Sequence, residues 1–457
     1  MNSSPSFSRI RTILEKPTDI APLVYARVVL GVLISLEFSL GLFTNYAQTL
    51  IHGEFHFSYL LTPFIKPWSS ETLMYAHFVL NFVLGICFAA GLFYRWVTPL
   101  FLISGASLFL MEKTLYINHF YLYSLIVFLF LFLPANRGFS LDARRKPDIR
   151  VSEVPAWNVY LLLLQLSIVY FYAGIAKLNA DWFQAQPVQI WLSNKADYPL
   201  IGSILSSTSH AYFVAYGGIV FDLLIVPFMI WKRTRKVAFG LACFFHLSNV
   251  ITFGVGTFPW FSMAATALFF PAISFRKRLF SGKLKNALLP AGSKSFSYGN
   301  RQGLIFGFLG LFMVVQLLLP LRQHLYPGNT SWNEEGHFFA WRMMLRDKQA
   351  TISFRVKDSE TGREERIDLQ EHLNNRQIRK MAGHSDLILQ FAHYLKHHYE
   401  TEKGFSNAQV FAKNRVSLNG RPYQNMIQPN TDLGAQPRTF RHYDWIVPLE
   451  DFETISQ

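Results

Sequence analysis

Lys177 closes an apolar run, Trp157 to Ala176, that contains no other charged residue. Asp181 and Trp182, an acid and an aromatic, follow within five positions. An ionisable side chain at membrane depth is costly, so it marks a functional-site hypothesis by default. An amine drawn partly out of water also gives up its proton more readily, which makes a lysine a usable base. The competing reading is a lysine that snorkels to the interface with its stem in lipid.

Other polar residues gather at comparable positions. Glu112, Lys113, Asn118 and His119 share one short turn, and His246 and Asn249 lie near the end of another apolar run. Each has an ordinary reading beside the chemical one. His119 can be an interfacial or core histidine, and Asn118 can cap the helix that follows it. Glu112 and Lys113 can be an exposed pair, and His246 can hydrogen-bond across helices. Asp181 can cap a short interfacial helix, with Trp182 as a belt anchor. Trp332, Trp341, Met343 and Met344 can pack a soluble domain onto a bundle. Arg27 and Glu37, expensive at membrane depth, are expected to find partners inside the bundle. The chain has no HExxH, CxxC, P-loop or G-x-S-x-G pattern, so no metal is expected and nucleotide or serine-hydrolase chemistry has no support.

The elements that position these groups follow from hydropathy. Hydrophobic residues make up 51% of the 457 and charged residues 16%, against the usual quarter for soluble proteins. Apolar windows at 22–44, 73–93, 97–112, 119–134, 157–178, 212–231, 236–253, 257–273 and 303–321 predict about nine spans. Twenty Lys and Arg residues fall at the N-terminus and in alternate loops, and the intervening loops hold four: Lys66, Lys113, Lys177 and Lys195. That asymmetry predicts a cytoplasmic N-terminus and places the turns bearing Lys113 and Lys177 on the outer face. The polar, basic first 20 residues show no cleavable signal, and Cys87 and Cys243 both fall in spans. No nucleic-acid-binding motif accompanies the net charge of +14.

The organisation read from sequence is a segment 1–20, an all-α polytopic bundle over 21–324, and a smaller α+β or β-rich extramembrane domain over 325–457. In that domain Thr351 to Lys357 alternates as a strand, 358–362 is a turn, and Arg363 to Leu369 returns. Ser385 to Tyr399 has helical spacing, with Asp386 at the favourable end of the dipole. Val410 to Leu418 is a second strand entering an Asn419-Gly420 turn. Residues 279–302 read as a flexible linker.

The segment from Tyr170 to Trp182 resembles the corresponding stretch of vitamin K-dependent γ-glutamyl carboxylases, whose membrane region defines a wider family with bacterial members. Gly91 to Arg95, Glu112-Lys113, Asn118-His119 with Tyr121 to Tyr123, Gly217-Gly218 with Asp222, and Phe245-His246 with Asn249 look like family segments in the same order. So do His324, the Trp332 to Trp341 spacing, Met343-Met344 and Asp444 to Leu449. The resemblance implies an enzyme that uses reduced vitamin K or menaquinone with O2 and CO2. A lysine at the position of Lys177 deprotonates the hydroquinone; the product formed with O2 removes a γ-hydrogen from peptidyl glutamate, CO2 is captured, and the quinone leaves as its epoxide. Asn118 and His119 match residues placed at this chemistry. His246, Asn249, His324, Trp332, His337, Asp181 and Trp182 are carried over as substrate- or quinone-binding positions. The expected partners are the bilayer, a lipid-soluble quinone and a glutamate-containing peptide or protein.

Departures from the resemblance are specific. Vertebrate enzymes have paired lysines where this chain has Ala176 and Lys177; His337 stands in place of a tyrosine; the vertebrate disulfide has no counterpart; and the longer outer region tied to propeptide engagement is not expected here. Two other readings follow: a quinone epoxidase without carboxylation, and a quinone-binding or transport protein.

Overall fold

The computed structural model describes residues 5–199, 201–253, 256–278 and 294–450. Each of the nine apolar windows carries a helix. Among the described residues five are long and apolar enough to cross a membrane: Ala21–Gly41, Glu71–Ala90, Trp157–Ala176, Thr208–Ile230 and the run Gly299–Leu325. The chain is therefore a multi-pass membrane protein. Tyr94–Leu110, Asn118–Phe130 and Phe258–Thr266 are shorter, and Arg235–Phe253 carries charge at its start. Local chemistry sets the ends. Ser70 accepts from the Leu73 N–H to start one long helix, and Gly91, at φ 63°, ends it. A side chain at Gly91 would meet the Ser140 Cβ at 2.5 Å, so the turn needs glycine for its conformation and for its space.

Arg27 and Glu37 do find partners inside the bundle, but separately. The buried Arg27 guanidinium donates to the carbonyls of Ala89 at 3.1 Å, Ala135 at 2.6 Å and Gly138 at 3.3 Å, and also to Phe139. It thereby satisfies orphan carbonyls at a helix end and in the 135–139 turn. Close by on the sequence, a two-stranded ribbon pairs β1 (Pro17–Asp19) with β2 (Glu153–Pro155). The linker reading is corrected for its last part: Glu153 bridges Ser295, and the Tyr298 hydroxyl donates to Asn158 at 2.5 Å. Residues 279–293 lie outside the described residues.

The C-terminal domain is built on an antiparallel sheet ordered β4-β3-β5, from β3 (Lys348–Asp358), β4 (Glu364–Arg366) and β5 (Ala408–Leu418). Its register places Phe354 opposite Ala412 and Val356 opposite Val410. The Ser385–Thr401 helix packs its apolar stripe, including Leu387, Phe391 and Leu395, into the same core. After β5, Asn419 (φ 52°) and Gly420 (φ 80°) make the two-residue turn for which both central positions require positive φ.

This domain sits on the turns that carry the candidate residues. Glu112 and Lys113 are not an exposed pair. Glu112 is fully buried and accepts from the Phe57 N–H, His56, Thr114 and the Gln377 amide. Lys113 donates to Asp386 at 2.5 Å, and Arg438 donates to the same carboxylate at 2.7 Å. Burial works upward on Asp386, but Lys113 and Arg438 outweigh it and hold its carboxyl below the usual range. Burial pushes the Lys113 amine down, with Asp386 opposing. A strap from Glu334 to Met344 completes the junction, and four of its non-glycine residues lie at positive φ: Glu334, Phe339, Trp341 and Met344. Tyr116 and Arg322 hold it, by accepting from the Phe339 N–H at 2.8 Å and donating to the Phe338 carbonyl at 3.0 Å.

Candidate active site

Lys177 follows the last residue of the Trp157–Ala176 helix, so its stem points back along the helix while its amine reaches across to a neighbour. The amine donates to the Ala173 carbonyl at 3.1 Å and to Asp222 at 2.6 Å. Both partners of the ion pair are buried. Asp222 is the sole charged residue of the Thr208–Ile230 helix. The indole of Trp182 lies 5.4 Å from the amine and donates its own N–H to the Ala215 carbonyl at 2.8 Å. These groups form one wall of a cavity of about 140 Å³. Trp191, Phe245, Phe258, Met343 and Met344 supply much of its apolar surface, and His246, Asn249, Tyr170 and Ser262 add polar groups. Gly218 faces the same space: a Cβ there would lie 3.8 Å from both Lys177 Cε and Trp182. His246 meets the Tyr170 hydroxyl at 3.0 Å, and that hydroxyl meets Thr266 at 2.9 Å.

Lys177, Trp182, His246 and Asn249 thus share one chamber, and the other sequence candidates stand elsewhere. His119 is not part of the wall. It pairs with Glu37 at 3.3 Å and stacks at 5.5 Å on Phe258, whose ring does line the chamber. Glu37 also accepts from the Thr257 N–H and hydroxyl. Asn118 is not the cap of its helix, a place taken by Ile117. Its amide accepts from Tyr116 at 3.0 Å and donates to the Arg342 carbonyl at 3.4 Å, so it ties the bundle to the strap. Asp181 is likewise not a cap. Asn179 caps the Ala180–Phe183 turn, and the Asp181 carboxylate is gripped by Arg421 and Asn419 of the C-terminal domain.

Three carried-over positions lie in or beside the C-terminal domain. Trp332 is in its core and donates to the Val447 carbonyl at 2.7 Å. His337 is buried beside Arg346 at 3.4 Å, and burial first, then Arg346, holds its imidazole well below the usual histidine range, so it is neutral. His324 is exposed on the turn that ends the last membrane helix. Asp222 and Tyr170 on the chamber wall, and Glu37 behind it, are not among the candidates that the sequence singles out. The signal for Asp222 and Glu37 was present, since each is a lone acid within an apolar helix.

A polytopic helical bundle with a buried lysine–carboxylate pair on an apolar chamber, covered by an α+β domain, defines the class. The HTTM domain family matches residues 15–273, and the vitamin K-dependent gamma-carboxylase lumenal domain family matches residues 301–452. The chain belongs to the gamma-glutamyl carboxylase family. The second match begins at Arg301 and so takes in the last membrane helix with the C-terminal domain. No solved structure matches the chain.

Proposed function

We propose that this protein carboxylates peptidyl glutamate to γ-carboxyglutamate, using the hydroquinone of vitamin K or menaquinone, O2 and CO2 at the outer face of a membrane it crosses about nine times. The observation that carries the reading is the buried Lys177–Asp222 pair on the wall of an apolar chamber. Trp182, Trp191, Phe245, Met343 and Met344 suit a flat, apolar ring system, and Gly218 leaves room for it beside the lysine. Once deprotonated, the reduced quinone supplies with O2 the oxidising chemistry that ends in the epoxide and in loss of the glutamate γ-proton. The chain's own part is proton handling. Lys177 and Asp222 hold one proton between them, and with that proton on Asp222 the amine offers its lone pair to a hydroquinone hydroxyl. Apolar walls exclude water that would otherwise quench a carbanion before CO2 adds.

The purified protein, given reduced menaquinone or vitamin K, O2, labelled bicarbonate and a glutamate peptide, is expected to form epoxide and to fix label. Neither product with any quinone would sink the reading and leave quinone binding or transport. Epoxide without label would favour epoxidation alone, a reading supported by the place of His119 behind Phe258 rather than on the chamber wall. The bilayer, the quinone and a glutamate-bearing peptide are the partners of this reading, in a bacterial inner membrane. Reporters fused after Arg150 and after Gln457 are expected on opposite sides, and the same side for both would remove the outer-face assignment.

A further inference from the structure

The turn that follows β5 reaches down to the lysine segment. Arg421 donates to both Asp181 oxygens, at 2.8 and 2.6 Å, and the Asn419 amide donates to the carboxylate at 2.6 Å. Both charged side chains are buried, at 9% exposure each. A two-pronged guanidinium–carboxylate contact fixes direction as well as distance. The grip is continuous with the chamber on both sides. Asp181 precedes Trp182 in the Ala180–Phe183 turn, and the Trp182 ring lies 5.4 Å from the Lys177 amine. On the other side the Asn419 N–H donates to the Asp347 carbonyl, and the Asp347 N–H to the Asn419 amide oxygen, each at 2.8 Å. Asp347 lies three residues beyond Met344, which with Met343 lines the wall of the same chamber. A ring of short contacts therefore runs from one wall, through the outer domain, to the base.

We propose that Asp181, Arg421 and Asn419 form a clasp of positioning residues through which the outer domain sets where Lys177 and Trp182 stand relative to the Met343-Met344 wall. Its catalytic arm rests on the reading of Lys177 as the base. None of the three touches the chamber; they act through Trp182 and the strap. A misplacement of about 1 Å in a reacting group can cost about 10²-fold in rate. The clasp therefore governs kcat more than the affinity of the chamber for an apolar ring.

The test uses the full-length protein in lipid nanodiscs, with variants Asp181→Asn, Arg421→Gln, Arg421→Lys and the exchange Asp181→Arg with Arg421→Asp. Two readouts are taken: epoxide-forming kcat and KM for reduced menaquinone, and the pH profile of Lys177 acylation by an amine reagent, followed by mass spectrometry. Asp181→Asn and Arg421→Gln are expected to lower kcat by about 10²-fold with KM little changed, and to displace the acylation profile of Lys177. Arg421→Lys, which keeps the charge but not the fork, should fall between them and the wild type, and the exchange should recover part of the loss. Folded variants with unchanged kcat and an unchanged acylation profile would overturn the clasp. So would a rise in KM alone, or losses that track Tm with no intermediate behaviour in Arg421→Lys. If the wild type forms no epoxide, the functional reading fails by itself, and the acylation profile alone decides the clasp.

Discussion

Lys177→Arg is expected to stop epoxide formation while the protein stays folded. The guanidinium still offers a cation to Asp222, so the buried pair keeps its charge balance. It cannot give up its proton at working pH, and so cannot act as the base. Positioned acid–base groups contribute about 10²–10⁴-fold, and at least the lower figure should be lost. Lys177→Ala is the less informative change, because it leaves Asp222 buried without its partner. Breaking a buried ion pair in that way costs about 3–5 kcal/mol, and lost activity would mix with lost structure. The measurement is epoxide formed per folded protein, with quinone binding and Tm recorded alongside. Near-normal turnover by a folded Lys177→Arg protein excludes the base role.

His119→Ala separates the two halves of the proposed reaction. The imidazole is held by Glu37 and stacked behind Phe258, off the wall that Lys177 occupies. Its removal leaves Glu37 with both Thr257 contacts, so that carboxylate is not stranded. Hydroquinone oxidation through Lys177 should then be partly preserved. Fixed CO2 per epoxide should fall, by a factor in the same ~10²–10⁴ range if the imidazole handles a proton at the glutamate. Glu37→Gln, which keeps size but not charge, should move the ratio in the same direction. If epoxide and fixed label fall together, in step with Tm, then His119 is a packing residue and the two steps share one determinant elsewhere.

Much of the fold was legible because its signals are local. Nine apolar windows each hold a helix, the 351–357 alternation lies in β3, and Asn419-Gly420 makes the turn expected of it. The site was legible only in part. Hydropathy reports that Lys177 and Asp222 lie in apolar surroundings, but not that two helices whose charges are 45 positions apart place them 2.6 Å from each other. Asp181 and Arg421, 240 positions apart, pose the same problem across two domains. Glu112 and Lys113 read as exposed because nothing in their own turn reveals the Gln377 and Asp386 side chains that cover them. His324, assigned through resemblance, is exposed near the end of the Gly299–Leu325 run, and sequence alone does not tell which side of a helix end is inward.

The Lys177 chamber takes its walls from widely separated stretches of the chain: Tyr170 to Trp182, 214–222, Phe245 to Asn249, and finally Met343-Met344. A ribosome delivers these in order, so the helical bundle can be inserted while the last wall has yet to be made. A chain cut before Met343 lacks the part of the chamber wall that Met343 and Met344 supply. On the proposed function, such a chain would lack part of the dry enclosure that protects a carbanion. In that reading, coupling of hydroquinone oxidation to carboxylation therefore depends on the wall that is made last as well as on Lys177.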